Sequence, residues 1–395
     1  MTGAGGLNGA GNCMGSGKTD WTTPIPCVVG EKECLGGVPA TCGASKTWTI
    51  GAPCAAGLCS EGACVAATSP FVDLGLPVDG AGSSASMSVS ADGSVIVGNT
   101  GLDPIARPFR WTAATGVVRL PTVPGHMDGN ASSVSADGLT VVGGGGPWDD
   151  AEDAFAWTEA AGVTTLGKPD CLGASRATTV SHDGKVVAGY VVPSATKAAV
   201  AVKWENGAAT SLGLLPTAAS SFVNAGSTDG NVFVGKSGDQ GFRWTAATGM
   251  VSVGTLASGG KYSEAFGVSA DGTTVVGTTA TEAYRWTQAT GIVGIGMLDS
   301  DANAYAEAYA ASGDGSVVVG MSSGLMGYRA FVWDAAHGMR DVRAVLAAAG
   351  VDMGTWQLQA VTGVSADGKV LVGYGATDAA ALQAGRLRAF RVILP

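Results

Sequence analysis

Charge is scarce in this chain. Only 14 % of its 395 residues are charged, and 22 Lys and Arg stand against 32 Asp and Glu, for a net charge of −10. So little basic character leaves no footprint for a nucleic-acid backbone. No apolar run reaches the roughly 18 residues that a membrane-spanning helix needs. Long helices are excluded by glycine, which contributes 63 residues and breaks helical propagation. Intrinsic disorder is excluded by the 46 % of apolar residues, because that content supports a packed core. Aromatic residues are only 7 %. What remains is a folded chain of small residues, long enough for two or three domains.

Cysteine is almost absent beyond residue 64, where only Cys171 is found. The other seven lie at Cys13, Cys27, Cys34, Cys42, Cys54, Cys59 and Cys64. A short Gly/Pro-rich segment cannot build a sufficient apolar core and needs staples. Zinc is the rival, but there is no CxxC pair, and the gaps from Cys27 onward run 7, 8, 12, 5 and 5. Three disulfides among Cys27, Cys34, Cys42, Cys54, Cys59 and Cys64 are expected, with 15 pairings open. Cys13 and Cys171 are left either to bridge the two domains or to stay apart, with Cys13 free. Either way the chain belongs in an oxidising compartment. Residues 1–20 read as a Gly-rich linker and 21–68 as the disulfide-rich module. Such a lead suits a tether behind an export signal or lipid anchor located upstream. Gly15-Ser16-Gly17-Lys18-Thr19 looks like a phosphate loop, but Asn12 stands where its first glycine is required, and no strand precedes it.

Residues 69–395 are one unit repeated seven times. Each carries Ser-x-Asp-Gly, four residues, then Gly, from Ser90/Asp92/Gly93/Gly98 to Ser365/Asp367/Gly368/Gly373. The steps between successive aspartates are 45, 46, 46, 42, 43 and 53. Asp-Gly between apolar runs signals a tight hairpin, since glycine accepts positive φ and aspartate tolerates it. A Val-rich strand follows, as in Val95-Ile96-Val97. Then comes a strand such as Phe109-Arg110-Trp111, whose two rings share one sheet face. A Thr-Gly turn leads into a fourth strand. Four short antiparallel strands in about 46 residues make one propeller blade. The expected fold is therefore all-β, a seven-bladed β-propeller behind a small disulfide-rich module. Residues 71–76 resemble the fourth strand that the last unit lacks, and so would close the ring. The long last step predicts a short helix within Val342 to Gly354.

The units resemble the HAF-type repeat of bacterial extracellular repeat proteins. The resemblance rests on Val268-Ser269-Ala270-Asp271-Gly272, Val275-Val276-Gly277 and Tyr284-Arg285-Trp286-Thr287, and covers residues 71–395. The third unit departs, with Ser181-His182-Asp183 and Val202-Lys203-Trp204. The segment from Cys34 through Pro39, Cys42, Trp48, Cys54 and Cys59 to Cys64 is similar to Cys-rich modules of myxobacterial surface proteins. Both resemblances imply a secreted or cell-surface location. Neither implies a defined reaction.

The repeated Ser, Asp, Gly and Trp are turn and core residues, so function belongs where the blades differ. Five residues before each motif serine stand Ala85, Asn130, Arg176, Phe222, Glu264, Glu307 and Ala360. This position opens the innermost strand, near the mouth of the central channel, and its variety suits an asymmetric pocket. Asn130, Arg176 and Phe222 are candidate ligand contacts. Arg176 suits a carboxylate or an acidic sugar, and His126 on the loop before the second blade suits a base. Tyr262-Ser263-Glu264 and Tyr305-Ala306-Glu307 match in adjacent blades. Two near carboxylates repel, which suits acid/base work on a glycosidic bond, so Glu264, Glu307, Tyr262 and Tyr305 are the catalytic candidates if the chain is an enzyme. Asp299, Asp301 and Asn303 have alternating oxygen spacing that suits Ca²⁺, although Ala304 and Ala310 depart from the EF-hand pattern. The acidic stretch Asp149-Asp150-Ala151-Glu152-Asp153 reads as a solvated loop. The expected function is a secreted or surface-tethered module that binds a glycan or a surface protein. A glycoside hydrolase or polysaccharide lyase is the alternative.

Overall fold

The computed structural model describes residues 29–35, 38–52, 54, 58–66, 69–77, 82–101, 106–146, 152–168, 173–257, 260–301 and 303–395. Cys13, Cys27, Cys171, the Gly15–Thr19 stretch and Asp149-Asp150 lie outside them.

Seven four-stranded antiparallel sheets form the blades of a β-propeller. Blade 1 runs Ser84–Val89, Val95–Thr100, Arg107–Thr112 and Gly116–Arg119. Blades 2 to 6 repeat this order, with innermost strands Gly129–Val134, Ala174–Val180, Ser221–Gly226, Ser263–Val268 and Tyr305–Ala311. Blade 7 takes Gln357–Val364, Val370–Ala376 and Arg388–Ile393, and its outer strand is Phe71–Asp73. That strand pairs antiparallel through Phe390–Asp73, Arg391–Val72 and Val392–Phe71. The two ends of the propeller segment are thereby joined in one sheet, and the open edge disappears. The step into blade 7 contains the helix Val342–Ala348, capped by Asp341. Its Val342 and Leu346 enter a core with Phe71, Trp356 and Phe390. A second helix, Ala379–Gln383, gave no sequence signal.

The motif serine does two jobs in every blade. Its hydroxyl donates to the motif aspartate at 2.5–2.9 Å and accepts the amide five residues on at 2.9–3.0 Å. The glycine after the aspartate adopts positive φ in every blade. Backbone bonds between these turns run from blade to blade, as in Ala91 N to Ala136 O, Gly313 N to Ala366 O and, across the closure, Ala366 N to Ala91 O.

The last motif glycine has a steric cause. A Cβ there would lie 1.8–2.1 Å from the innermost strand's carbonyl oxygen in all seven blades. Outside blade 3, where Val202 faces Gly189, a third-strand aromatic covers it from the facing register, as Phe109 does Gly98 and Phe390 does Gly373. Those rings are fully buried, each worth roughly 2 kcal/mol.

The disulfide-rich module packs on the closure. It has a three-stranded sheet, Lys32–Leu35, Val38–Cys42 and Trp48–Ile50, and a hairpin, Leu58–Ser60 with Ala63–Val65. Cys34–Cys59 and Cys54–Cys64 are disulfides, and Cys42 is disulfide-bonded as well. Glu33 forms a two-pronged ion pair with Arg388 of blade 7. Trp356 Nε1 donates to Glu61 at 2.5 Å. Asp73 N donates to Ser60 Oγ at 2.9 Å, and Leu76 N to Cys34 O at 2.8 Å.

Candidate binding site at the channel mouth

The innermost strand of each blade carries a bulge three residues before the motif serine. The bulged residues are Met87, Ser132, Thr178, Asn224, Phe266, Tyr309 and Thr362, and all line the central channel. A bulge re-aims a side chain that a regular strand would turn into the sheet. Three of these residues stitch blades together: Thr178 donates to Val223 O at 2.8 Å, Asn224 to Ala265 O at 2.9 Å and Thr362 to Ser86 O at 2.9 Å. The variable position singled out in the sequence lies two residues earlier; there Arg176, Phe222 and Glu264 each meet a residue of the preceding blade.

On one arc these side chains are held within the protein. Arg176 is ion-paired with Glu152 at 2.5 Å, with both side chains largely buried. His126 Nε2 lies 3.2 Å from Asp153, which also takes Lys168 Nζ at 2.9 Å. Hydrogen bonds and the two cations outweigh burial and hold the Asp153 carboxyl below its ordinary value. Asn130 is buried. Phe222 meets Tyr190 edge-on at 5.0 Å on a cleft of about 630 Å³ that also includes Glu152 and Lys197. Arg176 and His126 are thus both engaged by carboxylates inside the protein.

On the opposite arc the structure gathers Glu264, Glu307 and most of the tyrosines. Glu264 accepts from Tyr262 Oη at 2.8 Å and from Asn224 Nδ2 at 3.0 Å. Lys236 Nζ lies 3.8 Å from its carboxylate and 4.7 Å above the Tyr262 ring. Burial first, then the hydrogen bond to Glu264, pushes the Tyr262 hydroxyl up, and the charge of Glu307 adds to this. Glu307 accepts from Tyr309 Oη at 2.5 Å. Burial and then Glu307 raise the hydroxyls of Tyr309 and Tyr374. Tyr305 is pushed up to about 12, by its hydrogen bond to Tyr328 and then by burial. All these phenols stay protonated near neutrality and act as donors. In blade 5, Tyr284 replaces the usual phenylalanine. Its hydroxyl is buried without a hydrogen-bond partner among the described residues.

Sequence reasoning brought Glu264, Glu307, Tyr262 and Tyr305 together but missed Asn224, Lys236, Tyr309, Tyr328 and Tyr374. Asn224 and Tyr309 were accessible to the same alignment, read three residues before the serine instead of five. Lys236 and Tyr374 directly follow the last motif glycine of their blades.

Two of the proposed calcium ligands, Asp299 and Asp301, already have protein partners. Asp299 takes Arg329 Nη2 at 2.5 Å. Asp301 accepts the amides of Asn303 at 3.0 Å and Leu325 at 3.1 Å. Among the described residues no group of three or more His, Cys, Asp or Glu is placed to hold a metal ion.

No family model and no curated protein matches the chain. Solved structures do resemble it. An oligogalacturonate lyase from Vibrio parahaemolyticus is 10 % identical, with TM-score 0.52, covering 82 % of this chain and 93 % of that one. An oligogalacturonate lyase in complex with manganese is 13 % identical, with TM-score 0.49 and coverage of 78 % and 88 %. TolB from Acinetobacter baumannii is 14 % identical, with TM-score 0.42 and coverage of 76 % and 81 %. At such identity the likeness is one of fold.

Proposed function

We propose that the chain is a secreted or cell-surface binding module that takes a glycan or a surface protein at the channel mouth. One observation carries this reading. The residues in which blades 4 to 7 differ form a single arc of tyrosines and carboxylates, held in place by hydrogen bonds within blades 5 and 6 and, at Glu264, by Asn224 and Lys236 of blade 4. A surface ordered before the ligand arrives loses little entropy on binding. Tyrosine supplies area and a hydrogen-bonding tip at small rotamer cost. The disulfides and the HAF-type resemblance support the location, and an upstream lipid anchor would fit it. The test is retention on glycan and surface-protein arrays, with and without EDTA, while reading released sugar. A retained ligand with no product, lost in Tyr262→Ala, is expected. Loss with EDTA would bring calcium at Asp299, Asp301 and Asn303 into the reading.

The second reading is a carbohydrate-active enzyme. It draws on Glu264 and Glu307, which are near enough for the charge of Glu307 to act on Tyr262. Product formation that disappears in Glu264→Gln, with binding kept, would replace the first reading by this one.

A further inference from the structure

Blades 5 and 6 present the same pair, Tyr262/Glu264 and Tyr305/Glu307, but their surroundings differ. The preceding blade gives Glu264 an amide donor, Asn224, and an ammonium, Lys236. The equivalent positions of blade 5 are Phe266 and Thr278. Phe266 has no donor and packs edge-on against Tyr309 at 5.6 Å. Thr278 gives its hydroxyl to Ala306 O at 2.8 Å. Tyr305, the counterpart of Tyr262, turns to Tyr328 instead. Glu307 therefore keeps one donor, Tyr309. Among the described residues no cation pairs with it.

Resting on the binding-module reading, we propose that Glu307 anchors an alkylammonium site. Its occupant takes the place that Lys236 takes beside Glu264 one blade earlier. Tyrosine rings around a carboxylate are suited to a cation, through their faces and the paired charge. The protein shows this in Lys236, which sits over the Tyr262 ring and beside Glu264. A lysine side chain and an amino sugar both carry such an ammonium. The edge of the site selects the lysine of a protein partner. Blade 6 has the longest hairpin arms of the described blades, eight residues each in Val317–Gly324 and Gly327–Asp334. Its tip exposes Leu325 at 85 %, Met326 at 78 % and Tyr328 at 50 %. An apolar tip beside a cation cage fits a polypeptide, which offers aliphatic stems with its lysines. The net charge of −10 favours a basic partner.

The test titrates the full chain with three probes: a lysine-bearing peptide, the same peptide with norleucine for lysine, and a chitosan oligomer. The lysine peptide is expected to bind about tenfold more tightly than its norleucine analogue. Glu307→Gln is expected to remove that difference. Thr278→Lys, which supplies an internal ammonium, is expected to do the same. Equal binding of the two peptides, or indifference to Glu307→Gln, overturns the site. Chitosan binding that needs Glu307, with no lysine-peptide binding, overturns the assignment to a protein partner. Array ligands that bind independently of Glu307 overturn the site and leave the binding module standing. Failure of every array ligand removes the reading beneath it.

Discussion

The two ends of the channel are built from the same strands and obey different rules. At the turn end, the same serine, aspartate and glycine make the same bonds in seven blades. At the mouth, matched positions make different bonds, so Arg176 pairs with Glu152 while Glu264 collects Tyr262, Asn224 and Lys236. Repetition holds the ring, and departures from repetition make the site.

The severest test of that contrast is the glycine joining the two ends. Gly277→Ala places a Cβ 2.0 Å from Glu264 O. It should lower stability by about 3 kcal/mol or more in urea unfolding and displace Glu264. Gly291→Ala, with φ +65° but open space around it, should cost only about 1 kcal/mol. Equal costs would mean that the close approach is not what demands glycine.

Next come the serines. Ser135→Ala and Ser269→Ala each orphan an amide, at Thr140 and Thr274, and should cost about 1–3 kcal/mol. The turn end predicts equal costs. A gap much above 1 kcal/mol between the two would break the claim of uniformity.

The closure gives a pH test. Burial, against the pull of Arg388, raises Asp73 to about 7. Between the ordinary 3.8 and about 7 the folded state binds more protons than the unfolded one. Stability from this group therefore falls as pH rises through that window, and the loss is complete above it. Asp73→Asn retains an acceptor for Gly75 N. It should stabilise the protein by on the order of 2 kcal/mol at pH 8, with the gain gone at pH 4. A gain that grows toward acid would contradict the burial argument. Two of the motif aspartates act in the other direction. Asp183 and Asp314 are lowered to about 2 by hydrogen bonds, from Lys185 and Ser316 first. Their contribution is present above the ordinary 3.8 and fades as pH falls through their folded values.

The smallest stability effect belongs to the mouth. Tyr262→Phe removes one donor and leaves Glu264 with Asn224 and Lys236. The melting temperature should barely move while ligand retention drops. A large thermal loss with binding intact would make Tyr262 structural and erase the distinction between the ends.

Much of the architecture was legible because its signals are short-ranged. An Asp-Gly turn, a run such as Val317-Val318-Val319 and the Phe-x-Trp spacing act within one hairpin. The glycine at the end of the motif was visible as a pattern, but its cause was not, because the atom it avoids belongs to another strand. The site was half legible. Aligning repeats exposed Glu264 and Glu307, yet the count of five passed over the bulge at Asn224 and Tyr309. Bulges are settled by strand pairing, which one strand's sequence does not display.

By itself, the chain determined the repeat, its turns, the blade fold and the cysteine-rich segment, since residues a few positions apart decide each of these. Tertiary structure alone decided which of the charges at the mouth are paired within the protein. Glu264 and Glu307 occupy one position in the repeat, and what separates their surroundings is that Asn224 and Lys236 of the preceding blade are set against the first. Ion pairs and hydrogen bonds depend on distance in space, and closing the ring sets those distances.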